Sequence, residues 1–92
     1  MKLNRKKLLI LSDWYIPAVN AGGPVRSVSA IVSALKEAFD ISLLTSDRDF
    51  GSDEKFPNIE VDVWINKDGY RLQYISPSKL NETIKREVLS DY

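Results

Sequence analysis

Neither cysteine nor histidine occurs anywhere in the 92 residues, and the two absences remove most of the common catalytic repertoire. Without cysteine there is no disulfide, no thiolate metal site and no cysteine nucleophile, and the composition fits a reducing compartment. Without histidine, a Ser-His-Asp or Cys-His device cannot be assembled from this chain, and the side chain most used for proton transfer near neutral pH is missing. An excess of either charge is missing too. Thirteen Lys+Arg balance thirteen Asp+Glu, so the total charge points to neither nucleic acid nor an anionic membrane. No apolar run approaches the roughly 18 residues of a membrane span. Lys2, Arg5, Lys6 and Lys7 ahead of Leu8-Leu9-Ile10-Leu11 have the outline of a signal peptide. That run is far short of the roughly 7 to 15 residues of a leader's apolar region, and Asp13 closes it. The expected location is cytoplasmic, with peripheral contact at the inner membrane face through the basic start as the secondary expectation.

What is present reads as one small domain over residues 1–92, 43% hydrophobic and 28% charged. A chain of this size buries only about 60 to 65% of its unfolded surface, so its stability is expected to lean on a partner surface. Leu8 to Leu11 lacks polar alternation, the pattern of a strand covered on both faces. A loop follows from Ser12 to Gly23. From Pro24 the apolar residues fall at Val25, Val28, Val32, Leu35 and Phe39, with Ile31 widening the stripe, and this spacing predicts a helix ended by Asp40. Proline suits a first helical turn, which places Gly23 at the cap. Ile41 to Thr45 reads as a second strand, and a helical crossover between two buried strands makes them parallel and right-handed.

Ser46 to Asn58 is polar and rich in turn residues, where a doubly wound fold would place another helix; it is read as a long loop. Val61, Val63 and Ile65 alternate with polar or aromatic residues up to Lys67-Asp68-Gly69, and alternation resumes over Tyr70 to Ile75. This predicts a hairpin whose second arm is the third strand of the sheet. Ser76-Pro77-Ser78 starts a last helix carrying Leu80, Ile84 and Val88, which runs to Tyr92 without a stop signal and is read as a sign of truncation. The expected fold class is α/β, a small three-layer Rossmann-like domain with a mostly parallel sheet.

Chemistry concentrates at Ala21-Gly22-Gly23-Pro24-Val25-Arg26. The N–H groups of a first helical turn have no intrahelical acceptor, the helix dipole adds positive potential, and two glycines let a ligand approach the backbone. Arg26 in that turn costs about 0.3 to 1 kcal/mol unless an anion is nearby, which a ligand phosphate would supply. The competing reading is a tight turn in which Arg26 pairs with Asp13. A P-loop is excluded, because no Gly-Lys pair exists, and the dinucleotide fingerprint fits poorly, because Gly22-Gly23 follows a ten-residue loop. Asp47 after the second strand keeps a nicotinamide-nucleotide reading open. Asp47-Arg48-Asp49 is a D-x-D triplet of the kind that suits a hard divalent cation, but the favoured reading is a solvated or cleft-lining loop. Aromatics in a small α/β domain are mostly core or rim. Trp14 and Tyr15 are singled out as stacking faces for a sugar because they follow the C-terminal end of the first strand, the ligand edge of open α/β sheets.

These residues together resemble the N-terminal domain of glycosyltransferase family 4, the GT-B enzymes that transfer sugars from nucleotide donors. The resemblance rests on the strand Leu8–Leu11, Asp13-Trp14-Tyr15-Ile16-Pro17, the glycine turn through Ser27, and Thr45-Ser46-Asp47-Arg48-Asp49. It covers essentially the whole chain and about a quarter of such an enzyme. It implies a cleft between two nucleotide-binding-like domains, with Gly22, Gly23 and Arg26 toward the donor diphosphate and Trp14, Tyr15, Asp47, Arg48 and Asp49 on the acceptor side. It also implies retention of anomeric configuration with no metal and no cofactor, a nucleotide-sugar donor held largely by an absent C-terminal domain, and a glycan or lipid-linked acceptor. The histidine common in related N-terminal domains has no counterpart, so no catalytic residue is assigned. The expected protein is an incomplete N-terminal half of a GT-B fold, inactive alone. The alternatives are an NAD-type nucleotide module and a non-catalytic partner domain.

Overall fold

A computed structural model of the chain describes residues 5–20 and 22–91; Ala21 of the glycine motif, Lys2 and Tyr92 lie outside the described residues, as do the side-chain surroundings of Asp91. The elements run in the order β1 (Lys6–Ser12), α1 (Gly23–Leu35), β2 (Phe39–Ser46), β3 (Ile65–Lys67), β4 (Tyr70–Ile75), a single 3-10 turn (Pro77–Lys79) and α2 (Leu80–Asp91). They form a four-stranded open sheet of order β1-β2-β4-β3. β1 and β4 both run parallel to the central β2, and only the short β3 is antiparallel, paired to β4. The chain is therefore α/β with a mostly parallel sheet and two helices.

The strand periodicity of two divides the sheet cleanly. On one face, Leu8, Ile41 and then Ile10, Leu43, Leu72 lie side by side, followed by Ser12, Thr45 and Tyr74. This face packs under α1 through Val25, Val28, Val32 and Leu35, with Ile41, Leu43 and Leu72 at most 1% exposed. Each such aliphatic side chain contributes about 1.5 to 3 kcal/mol by leaving water. The opposite face carries Leu9, Ser42 and Arg71, then Leu11, Leu44 and Gln73, then Ser46 and Ile75. Here α2 is tied on through Trp64: its Nε1 donates to Glu87 Oε1 at 3.0 Å, while the Arg71 guanidinium sits 4.0 Å over the Trp64 ring and its Nε donates to Ser42 Oγ at 2.6 Å.

Two boundaries differ from the sequence reading. The helix ends at Leu35 rather than at Asp40, and Phe39 is the first residue of β2. The Lys36 N–H closes the last turn on Val32, and Ala38 N–H bonds to Leu35, so the chain turns through Lys36–Ala38 and enters the sheet directly. At its other end α1 begins one residue earlier than the cap reading, at Gly23, with Gly22 as N-cap.

The hairpin forms as expected around a two-residue Asp68-Gly69 turn, both residues at positive φ (47° and 93°), the conformation that matches strand twist. Its first arm is only Ile65–Lys67. Val61 instead makes an isolated parallel bridge to Tyr74. Residues 47–64 contain no helix, as expected, yet Phe56 in their middle is buried against Tyr74, with ring centroids 6.1 Å apart.

Candidate functional site

All three parallel strands end on the same edge of the sheet, at Ser12, Ser46 and Ile75. Open parallel sheets place ligands at this edge, because the loops and helix N-termini gather there. After β1 comes the loop 13–22, after β2 the loop that begins at Asp47, and after β4 the turn into α2.

The two loops are clamped together by one carboxylate. Asp49 Oδ2 accepts the Val19 N–H at 2.9 Å, and the Asn20 N–H is shared between its two oxygens at 3.1 and 3.2 Å. Oδ1 also accepts the Phe50 N–H at 2.7 Å, which fixes the carboxylate relative to its own backbone. Beside this clamp Trp14 meets Phe50 edge to face, with centroids 5.1 Å apart at 82°. Ser12 Oγ donates to the Trp14 carbonyl at 2.7 Å, so the rim is held from β1 as well. The loop's inner side is pinned by Tyr74, whose hydroxyl donates to the Ile16 carbonyl beside the cis Ile16–Pro17 bond.

The glycine turn arrives at α1 in an open state. Gly22 stands at φ 63°, ψ −112°, a conformation that side-chain-bearing residues avoid, and a Cβ at Gly22 or Gly23 would meet nothing within 4 Å. Among the described residues no side chain caps the helix, and its first turn holds no acidic residue. Pro24 has no N–H, and the first intrahelical bond is Arg26 N–H to the Gly22 carbonyl at 3.4 Å. The amides of Gly23 and Val25 therefore lack an acceptor within the helix, and Arg26, exposed, lies on the turn just behind them. Among the described residues Arg26 makes no ion pair with Asp13, the pairing that belonged to the tight-turn reading.

Two of the expected cleft residues face inward instead. Tyr15 is 2% exposed; its hydroxyl shares a 2.6 Å hydrogen bond with that of Tyr70, and its ring meets the Tyr70 ring edge-on. It is a core residue, not a stacking face for a sugar, and burial together with that bond pushes the Tyr70 phenol well above its ordinary range. Asp47 is likewise buried. Its Oδ1 accepts Arg48 Nε at 2.8 Å, and its backbone joins the Ile75 carbonyl and the Phe56 N–H. A carboxylate so engaged is not presented to a ribose, and with Asp49 committed to the neighbouring loop the D-x-D triplet does not converge on a cation. Arg48 continues to the Asp53 carbonyl at 2.7 Å, and the hydrogen bond to Asp47 holds its guanidinium in the charged form. Trp14, Arg48 and Asp49 thus remain on the rim.

An open cleft of about 470 Å³ lies beside the clamp, lined by Pro17, Asp49, Ser52, Glu54, Lys55, Phe56 and Pro57. Neither the glycines nor Arg26 line it, while Asp49 of the clamp does. A second cleft of about 280 Å³, around Arg5, Asp40 and Arg71, sits at the opposite edge of the strands. Sequence reasoning missed the roles of Phe56 and Asn20; an aromatic residue in a polar tract was the available signal for the first, and a backbone amide gives none for the second.

No family model, curated protein or solved structure gives a significant match to the chain. Among the described residues no helix is long and apolar enough to cross a membrane.

Proposed function

We propose that this chain is the acceptor-side, N-terminal part of a retaining, metal-independent GT-B glycosyltransferase working in the cytoplasm, its glycine turn receiving the diphosphate of a nucleotide sugar. The observation that carries the reading is the uncapped start of α1: amides at Gly23 and Val25, open space at Gly22 and Gly23, and an exposed arginine one residue on, all at the ligand edge of a parallel sheet. A leaving diphosphate there would be stabilised by the helix N-terminus and Arg26 as its charge develops. Trp14, Arg48 and Asp49 would face a glycan or lipid-linked acceptor. With no histidine and no second nucleotide-binding lobe, the 92 residues by themselves turn over no substrate.

The test is titration of the chain with UDP followed by amide NMR. Shifts are expected at Gly22, Gly23 and Val25, and Arg26→Ala should weaken binding about tenfold, the lower end of what an arginine–phosphate hydrogen bond is worth. Unchanged affinity in Arg26→Ala, or shifts confined to the Ser52–Pro57 cleft, would overturn the placement. Sugar transfer by the isolated chain would overturn its status as a half-site.

A further inference from the structure

The connection between β2 and β3 is held more firmly than its polar composition predicts. Residues 47–64 contain no helix, and a connection of that length without secondary structure is ordinarily either disordered or functional. This one is fastened to itself repeatedly. The Ser52 N–H donates to the Asp49 carbonyl at 3.1 Å, and Ser52 Oγ accepts the Glu54 N–H at 3.2 Å while donating to the Glu54 carbonyl at 3.1 Å. Arg48 Nη1 donates to the Asp53 carbonyl and the Phe56 N–H to the Asp47 carbonyl, both at 2.7 Å. These bonds shape the stretch that lines the 470 Å³ cleft, to which the loop after β1 adds Pro17.

The lining is of two kinds. Pro17, Phe56 and Pro57 are apolar and stiff: two are proline rings, and Phe56 is buried with its ring edge-on to Tyr74. Glu54 and Lys55 are exposed, and among the described residues neither side chain makes a hydrogen bond or ion pair. The oxygens of Asp49 and Ser52 are already engaged by backbone groups. The cleft thus offers one carboxylate and one ammonium, adjacent in the chain, beside a rigid apolar surface.

This lining discriminates between classes of ligand. An anion meets two carboxylates, Asp49 and Glu54, against the single ammonium of Lys55, and is disfavoured. A nucleobase finds no open aromatic face, because the Phe56 ring is buried. A divalent cation lacks converging oxygens, and among the described residues no group of three acidic side chains is placed to hold one. An uncharged sugar ring suits what is there. Its C–H surface fits the proline and phenylalanine carbons, and its hydroxyls can donate to Glu54 and accept from Lys55. A volume of about 470 Å³ lies within the ordinary range of small-molecule sites, roughly 300 to 1,000 Å³.

We propose that this cleft is a binding site for an uncharged hexopyranose unit, with Glu54 and Lys55 bonding its hydroxyls and Pro17, Phe56 and Pro57 against its carbon face. Its chemistry is read from the cleft alone; taking the sugar as a unit of the acceptor rests on the transferase reading.

The labelled chain titrated with the methyl glycosides of glucose, galactose and mannose, up to roughly 50 mM, should show saturable amide shifts at Ser52, Glu54, Lys55 and Phe56 for at least one of them. The dissociation constant expected for so small a ligand is about 1 mM. Glu54→Ala removes only the exposed carboxylate and leaves the backbone bonds of Glu54 to Ser52 in place, so the fold by circular dichroism should be unchanged and the sugar bound about tenfold more weakly. The uronate of the best-bound sugar should bind at least about tenfold more weakly than the neutral glycoside, and Glu54→Lys should narrow that gap. Absence of saturable shifts with all three glycosides would overturn the proposal, as would shifts confined to other residues, an affinity that Glu54→Ala leaves unchanged, or a uronate bound as tightly as the neutral sugar. The UDP shifts at Gly22, Gly23 and Val25 are read at other residues, so either site can fail while the other stands.

Discussion

Replacing Asp49 by alanine removes the four carboxylate contacts, at 2.7 to 3.2 Å, that hold the Val19, Asn20 and Phe50 amides. Hydrogen bonds to a charged group contribute about 1.5 to 3 kcal/mol each when shielded. These three amides lie in exposed surroundings where water can replace the carboxylate, so a total near 1 to 2 kcal/mol is the reasonable expectation. The loss should be felt first as release of the loop from its neighbour, because Trp14–Phe50 packing and the Tyr74–Ile16 bond still hold its base. Amide exchange at Val19 and Asn20 should therefore accelerate about tenfold, a 1.4 kcal/mol change, and amides of β2 that exchange only through global unfolding should accelerate by no more than that. Thermal unfolding should shift down by about 5 to 10 °C. Asp49→Asn keeps one acceptor oxygen and should fall between the two. The clamp is refuted if Asp49→Ala leaves the exchange of Val19 and Asn20 at the wild-type rate while Phe50 alone responds, since the carboxylate would then be serving only its own turn.

Two further outcomes follow from individual geometries. Gly22→Ala places a Cβ at φ 63°, ψ −112° in open space among the described residues, so the cost is backbone strain alone, about 1 to 3 kcal/mol; a melting temperature unchanged from wild type would show that the turn relaxes freely. Tyr70 and Tyr74 both have phenols pushed above the ordinary value of 10.0 by burial, so the folded state binds their protons more tightly than the unfolded chain does. Their contribution is complete below that value and is lost as pH rises beyond it, so the urea midpoint should fall above about pH 10 and fall less steeply in Tyr70→Phe.

The strand–helix–strand order, the parallel pairing and the Asp68-Gly69 hairpin were legible because each leaves a local signature: an uninterrupted apolar run, a 3.6 period, a turn dipeptide. The end of α1 was not. Phe39 continues the helical spacing from Leu35 and no glycine stops it, yet its place in β2 opposite Lys6 is decided by a strand 33 positions earlier in the chain. The same reason separates Trp14 from Tyr15. Both follow β1, but Tyr15 finds its partner at Tyr70, 55 residues away, and nothing near it in sequence announces that contact. Asp49 could be picked out as chemically interesting; its acceptor role toward backbone amides could not, since amides are the same at every position.

Phe56 has a consequence for the entropy of the long connection between β2 and β3. Its burial, with its N–H on the Asp47 carbonyl at 2.7 Å, closes one ring of ten residues and leaves a second, shorter run to the Val61 bridge. An 18-residue excursion without helix is thereby converted into two short closures, and because closure entropy grows only logarithmically, the exposed stretch from Gly51 to Lys55 can lengthen at about 0.6 kcal/mol per doubling. Ser52, Glu54 and Lys55 of that stretch line the cleft, so its wall is the part of the connection most open to a change in length.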